Sequence, residues 1–390
     1  MQVVLASSPD DERVAGYRKG AELAAEQVSQ AHSEAFRVKI VQSKLEAQAL
    51  LSASNVTTTI GALAVGGAEV LRTVRHQLDA NSFPVFELAD DLYDAGALGA
   101  SMFQVDTPHS WEAWRLARYF GPGDRRYKSV GLMREPGLAG DSAFHSLGAM
   151  FRDRGLTLVD AQGDVDAAFA VLSAAKPQAV VIEGSRAFIA AAIKRFGTDN
   201  AYAGRSKISD GWRPQLAGFH SSFAVTPVAG MVIAGDYARP AQVGDRVEPV
   251  AAFRAAFRKR FHASPTADEV DAYDATMVLA DSFAKAGLRT DRSLLIAQFE
   301  QVDRSRYGHL RFSFGLSDHV MAERDLQGLW SPSGAQLDLL MKTFTADLQR
   351  TNILDEDWMY FFSGSTPGGE APFYNTARSG ILSDASDDLH

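Results

Sequence analysis

Short apolar runs closed by turn residues alternate with amphipathic stretches through the first 240 residues, which confines the chain to a parallel-sheet architecture built from βαβ units. The spacing predicts strands at Val3 to Ala6, Phe36 to Val41, Thr58 to Gly61, Pro84 to Leu88, Ser129 to Met133, Leu156 to Val159, Ala179 to Ile182, Gln215 to Phe219 and Gly230 to Ala234. Between them it predicts helices at Val14 to Val28, Ala47 to Ala53, Gly67 to Leu78, Ser110 to Phe120, Ser142 to Arg154, Val165 to Ala174 and Ala187 to Phe196. Right-handed crossovers then place the functional loops at the carboxyl ends of the strands.

Two breaks divide this pattern. Gly121-Pro122-Gly123-Asp124 reads as the first lobe boundary, and the second lies near Tyr237 to Gly244. Beyond it the pattern turns helical, with segments at Pro249 to Phe261, Thr266 to Ala286 and Ser293 to Glu300. A chain that returns to complete its first lobe with helices has discontinuous lobes. The expected division is therefore 1–121 with 240–305, 122–239 with 306–345, and a C-terminal extension at 346–390. The extension carries Trp358, Tyr360, Phe361, Phe362, Phe373 and Tyr374 among Gly, Ser, Pro and Asp. It is too polar for its own core and too aromatic to be only a solvated end. With 390 residues, at ~100 to 200 per domain, two core-forming units are expected.

Charge and composition narrow the chemistry. Asp and Glu number 48 against 39 Lys and Arg, a net charge of −9, and no basic stripe exists to neutralise phosphates, so a nucleic-acid partner is not expected. The absence of cysteine excludes disulfides, thiolate metal sites, cysteine nucleophiles and iron–sulfur clusters from the chain as given. No apolar run approaches the ~20 residues that span a bilayer, so direct membrane insertion is not expected. Met1-Gln2-Val3-Val4-Leu5-Ala6 passes straight into Ser7-Ser8-Pro9-Asp10-Asp11 without the regions of a secretory signal; the protein is either cytosolic or has lost such a segment.

Catalytic and cofactor signatures are missing. There is no His-Glu-x-x-His, no Asp-x-Asp-x-Asp-Gly loop and no Gly-x-Ser-x-Gly elbow, and the nine histidines are scattered. Neither a metal, a cofactor nor an enzyme activity is expected. Gly140-Asp141-Ser142 reads as the cap of the helix that follows. Gly61-Ala62-Leu63-Ala64-Val65-Gly66-Gly67 lacks a Walker lysine and the dinucleotide spacing. It is either a helix N-terminus whose free N–H groups hold an anionic ligand group or a tight packing turn.

Three other strand-end features are candidates for ligand contact. Asp90-Asp91 offers carboxylates to an amine or a hydroxylated ligand, or forms a solvated loop. His220, with Phe219, Ser221 and Ser222, offers a stacking face and hydroxyls, or is a satisfied structural histidine. Arg13, in the first strand-to-helix loop, and Arg186, beside Ser185, supply a cation if they turn inward; exposed arginine is the commoner case. Arg254, Arg258, Lys259 and Arg260 form a solvated helix face.

Five stretches together resemble a known family. They are Gly20-Ala21-Glu22-Leu23-Ala24; Thr59-Ile60-Gly61-Ala62; Met102-Phe103-Gln104-Val105 leading to Ala117-Arg118-Tyr119-Phe120; Ala174-Ala175-Lys176-Pro177-Gln178-Ala179-Val180-Val181; and Asp271-Ala272-Tyr273-Asp274-Ala275. Their order and spacing, over about residues 1 to 315, resemble the type I periplasmic solute-binding proteins of branched-chain amino acid and amide ABC transporters. The resemblance implies a two-lobed α/β fold, each lobe a parallel sheet flanked by helices, with three crossovers as a hinge and a ligand enclosed in the cleft. It implies a periplasmic or extracytoplasmic receptor with a small-molecule ligand and the membrane permease of an ABC transporter as partners. A cytoplasmic sensor of the amide-sensing kind, or a member acting only through protein partners, is the alternative.

In the family, a hydroxyl-bearing turn after the third strand and a Ser/Ala/Thr loop after the fourth grip a ligand carboxylate, and an acid and tyrosines of the second lobe complete the pocket. Here the corresponding positions read Ala64-Val65-Gly66 and Ala89-Asp90-Asp91, with Leu138, Ser185 and His220 in the second lobe. The expected ligand contacts are therefore Arg13, Val65, Gly66, Asp90, Asp91, Leu138, Ser185, Phe219 and His220. A carboxylate beside Asp90 or Asp91 meets like-charge repulsion and desolvation together, which disfavours a zwitterionic leucine-like ligand and favours a polar neutral, hydroxylated or aromatic one.

Overall fold

A computed structural model describes residues 1–8, 11, 13–32, 37–89, 91–94, 96–121, 127–196, 212, 214–219, 232–236, 248–286, 292–300, 319–320 and 327–330. Asp90, His220 and the segment 346–390 lie outside them, as do the side chains of Leu138 and Arg186.

In chain order the elements begin β1 (Gln2–Ser7), α1 (Val14–Ala31), β2 (Lys39–Lys44), α2 (Ala47–Ser54), β3 (Thr59–Val65), α3 (Ala68–Ala80), β4 (Val85–Glu87) and β5 (Met102–Gln104). They continue with α4 (His109–Phe120), β6 (Ser129–Arg134), α5 (Leu138–Asp153), β7 (Thr157–Gln162), α6 (Val165–Ala175), β8 (Ala179–Glu183), α7 (Arg186–Arg195), β9 (Gln215–Phe219) and β10 (Val232–Asp236). The last are α8 (Glu248–Phe261), α9 (Ala267–Lys285), α10 (Arg292–Phe299) and β11 (Gln327–Trp330).

The strands form two sheets. The first is five-stranded, in the order β2-β1-β3-β4-β5, and every pairing in it is parallel. The second is six-stranded, in the order β11-β10-β9-β8-β6-β7, parallel except for the antiparallel pair β10–β11. Every residue of β3, Thr-Ile-Gly-Ala-Leu-Ala-Val, is buried, as expected of a central parallel strand covered on both faces. β2 is an edge strand with a polar, mostly exposed sequence, and its register on β1 (Gln2 opposite Lys39) sets it three residues later than its apolar run suggests. β5 and β11, of three and four residues, escape the sequence pattern altogether.

The chain divides into two compact units. One comprises Met1–Pro108 and Ala238–Ala322; the other holds His109–Tyr237 and the strand β11, so the chain passes between them three times. The first passage precedes α4 instead of following it. Ala113, Leu116, Ala117 and Phe120 of α4 pack with Val130, Leu132, Leu147, Phe151 and Phe219 of the second unit. The Gly121 break therefore ends a helix that packs within the second unit. The third passage falls after Ala322, because His319 and Val320 add to the first unit beside β5.

α1 and α9 cross closely in the first unit. Gly20 lets them approach, since a Cβ there would lie 1.9 Å from the Glu269 carbonyl oxygen. Glu269 also closes the start of α9, accepting from the Thr266 N–H at 2.6 Å and from its hydroxyl.

α5 starts at Leu138, after Gly137 at φ +141°, four residues earlier than expected. Asp141 is consequently not a cap: its carboxylate goes to Arg134, whose guanidinium is buried at the end of β6 and recruits acceptors from two elements. True side-chain caps are Asp164 on α6, accepting from the Ala167 N–H at 2.8 Å, and Ser185 on α7.

Candidate functional site at the strand ends

In the first sheet the strand order reverses direction between β1 and β3, and ligands of open α/β sheets bind outside the carboxyl ends at such a point. The loops there are closed by the protein's own carboxylates. Asp11 accepts from the Arg13 N–H at 2.9 Å and from its guanidinium at 2.7 Å, so Arg13 is committed within its own loop. Gly66, at φ +75°, and Gly67, at φ +83°, turn the chain from β3 into α3. The Gly66 N–H donates to Glu87 Oε1 at 2.9 Å, and the Ala89 N–H donates to the same oxygen at 2.9 Å. Val65 is buried directly before this turn.

The next two loops repeat the device. Asp91 Oδ1 accepts from the Asp94 N–H at 2.9 Å and lies 3.4 Å from Gln104 Nε2, while Gln104 Oε1 accepts from the Tyr93 N–H at 2.8 Å. Asp106 accepts from the Thr107 N–H at 2.8 Å. Asp91 thus shapes its own turn, as Asp side chains do when they bond backbone N–H groups ahead of them. Val65, Gly66 and Asp91 belong to one neighbourhood, tied through Glu87 and Gln104, neither of which the sequence pattern singles out.

Tyr17, on α1, closes this neighbourhood from below, its hydroxyl donating to the Leu88 carbonyl at 3.2 Å. Burial holds its pKa well above the usual tyrosine range; Asp268, Asp271 and Asp106 push the same way and Arg13 opposes them. The neutral phenol is favoured in the folded state, so its contribution to stability is complete below the unfolded pKa near ~10 and is lost as pH rises from there through the folded value. Tyr17→Phe is expected to cost about 1 kcal/mol at neutral pH, from the lost hydrogen bond, and to make the alkaline decline in stability shallower. Urea unfolding at neutral and alkaline pH checks this, and equal slopes for both proteins would contradict it.

The second unit's strand ends are also self-paired. Arg134, the last residue of β6, grips Asp160 bidentately at 2.7 and 2.9 Å and reaches Asp141 at 2.5 Å. The hydrogen bonds to Asp160 raise its pKa; burial opposes them and Asp141 adds to them. Glu135 accepts from the Ser185 N–H at 2.7 Å, and the Ser185 hydroxyl caps α7 by accepting from Phe188 at 3.2 Å. Phe219 is fully buried, its ring edge-on to His109 at 4.8 Å, so its faces serve the core instead of an exposed stacking surface.

His109 is the polar centre that sequence spacing does not reveal. Its Nδ1 lies 3.3 Å from Ser142 Oγ and its Nε2 lies 3.7 Å from Glu183 Oε1, with all three residues buried. The order Ser–His–carboxylate is that of a nucleophile and its base, but Ser142 sits inside α5 and not on an exposed elbow. The cluster places an imidazole against a buried carboxylate at the end of β8. Among the described residues no group of three His, Asp or Glu is arranged to hold a metal ion, and no helix is long and apolar enough to cross a membrane.

No protein-family model matches the chain, and no curated protein matches it by sequence. Solved structures do match. A type 1 periplasmic binding protein from Bordetella pertussis aligns over 86% of this chain and 98% of its own, with a TM-score of 0.67 and 16% identity. The fold is that of the type I periplasmic binding proteins. A branched-chain amino acid transporter substrate-binding protein from Streptococcus pneumoniae, in complex with isoleucine, aligns over 85% of this chain and 96% of its own (TM-score 0.63, 15% identity). A fatty acid ABC transporter substrate-binding protein from Thermomonospora curvata aligns over 85% and 88% (TM-score 0.65, 14% identity). Similar type I periplasmic-binding folds thus occur in proteins named for such different solutes, and the scaffold alone does not name the ligand.

Proposed function

We propose that the protein is a solute-binding receptor of an ABC importer. It captures a small polar organic ligand at the strand ends of its units, works outside the cytoplasm and delivers the ligand to a membrane permease. The three passages of chain between the units then act as its hinge. The observation that carries this reading is the near-complete overlap with the fold of proteins named as ABC transporter substrate-binding proteins, one of which, from Desulfitobacterium hafniense, is covered over 97% of its own chain. Binding without chemistry follows from that role. A second reading, an interaction protein that has lost its solute, draws support from the self-paired polar groups at the ends of β3, β4 and β6.

A thermal-shift screen over amino acids, amides, aromatic acids, polyols and short peptides separates the two. A ligand at 100 times its Kd stabilises by about 2.7 kcal/mol, a rise of several degrees. At least one class is expected to give it. A flat response across every class would transfer support to the interaction-protein reading.

A further inference from the structure

We infer that Glu87 is a specificity-determining residue: it is a tethered anion that occupies the N–H pair at the ends of β3 and β4, so that this receptor takes ligands lacking a carboxylate. The inference rests on the proposed receptor function and names the class of solute. Its basis is the convergence of two backbone donors from different loops, Gly66 and Ala89, on one oxygen of a fully buried side chain, each at 2.9 Å. Gly66 and Gly67 open α3, a thirteen-residue helix whose positive dipole end lies at this turn. Convergent N–H groups at a helix start favour a carboxyl oxygen or an anion, and here the protein's own Glu87 carboxyl takes that place.

The surroundings act in the same direction. Asp91 and Asp106 are buried in the adjoining loops, and the cation nearest in sequence to the β1 end, Arg13, is bound by Asp11 at 2.7 Å. An incoming carboxylate would have to displace Glu87 from both donors while meeting these like charges, and would pay desolvation as well. An amide, a hydroxylated compound or an amine meets no such opposition.

Acetate and acetamide, alike in shape and different in charge, serve as the probes. Glu87→Ala empties the N–H pair, and acetate, at constant ionic strength and in several-fold excess over its Kd, is expected to raise the variant's melting temperature by about 2–4 °C while leaving the wild type unmoved. Acetamide is expected to do neither. A folded variant indifferent to acetate would overturn the inference. If Glu87→Ala does not fold, the wild type still decides the matter with matched pairs, leucine against leucinamide and phenylalanine against phenylalaninamide. Stabilisation by the free acid equal to or above that by its amide would refute the exclusion of carboxylates while upholding the receptor reading. Acetate rescue of Glu87→Ala alongside a silent wild-type screen would uphold the tethered anion and remove the receptor reading.

Discussion

Replacing Gly20 by valine is expected to destabilise the first unit by about 3 kcal/mol or more. A Cβ at this position would meet backbone at every near contact, 1.9 Å from the Glu269 carbonyl oxygen, 2.8 Å from its carbon and 3.0 Å from its Cα. No rotamer change relieves a clash with backbone, so α1 must move off α9. That movement would loosen the core that Ala21, Ala25, Ala272 and Ala275 share, and would disturb the Glu269–Thr266 cap. Even Gly20→Ala should destabilise, although alanine normally gains up to about 1 kcal/mol over glycine in a helix. Gly148→Ala is the control: its Cβ would find its nearest neighbour 3.8 Å away, in ordinary contact, and the helix-propensity gain should appear. Urea denaturation followed by far-ultraviolet circular dichroism gives all three values. A Gly20→Val stability within about 0.5 kcal/mol of wild type would show that the helices do not cross so closely.

Phe103→Ala is expected to cost about 3–5 kcal/mol. Phe103 lies on β5, an edge strand of only three residues that depends on what packs against it. Its ring stacks on Phe86 at 5.1 Å and on His319 at 4.5 Å, and the Phe299 ring stands edge-on to both phenylalanines at 5.3 Å. Truncation would empty the point where β4, β5, α10 and the returning chain at His319 meet. A fall of about 10 °C in melting temperature follows from that loss in a unit of this size. Phe103→Leu, which keeps most of the apolar volume, should cost much less. Equal melting temperatures for the alanine variant and wild type would show that these rings do not pack together as described.

The strand ends were partly legible in the sequence. Gly66 and Asp91 stand out because turn residues directly follow apolar runs, and both lie in the loops of the first sheet's carboxyl edge. Glu87 did not stand out, because a single acid at the end of an apolar strand carries no periodic signal and its meaning depends on two N–H groups, one of them 21 residues away. His109, Ser142 and Glu183 were equally hidden, separated by 33 residues and more and joined only through tertiary packing. Phe219 shows the converse: a strand-end aromatic reads as a ligand surface in the sequence, and the structure buries its ring against His109.

What the sequence determined by itself was the alternation of strands and helices, β5 and β11 excepted, and the parallel character of the sheets apart from the pair β10–β11. Side-chain periodicity and turn residues are local, and a strand such as Gln215–Phe219 is bounded by its own residues. Tertiary structure alone decided that α4 joins the second unit, that β2 begins at Lys39, and that Asp141 serves Arg134 instead of a helix end. Each of these turns on which distant surface or charge offers the better partner. Burial and hydrogen bonding between remote residues are summed over the folded chain, and no local window of sequence contains that sum.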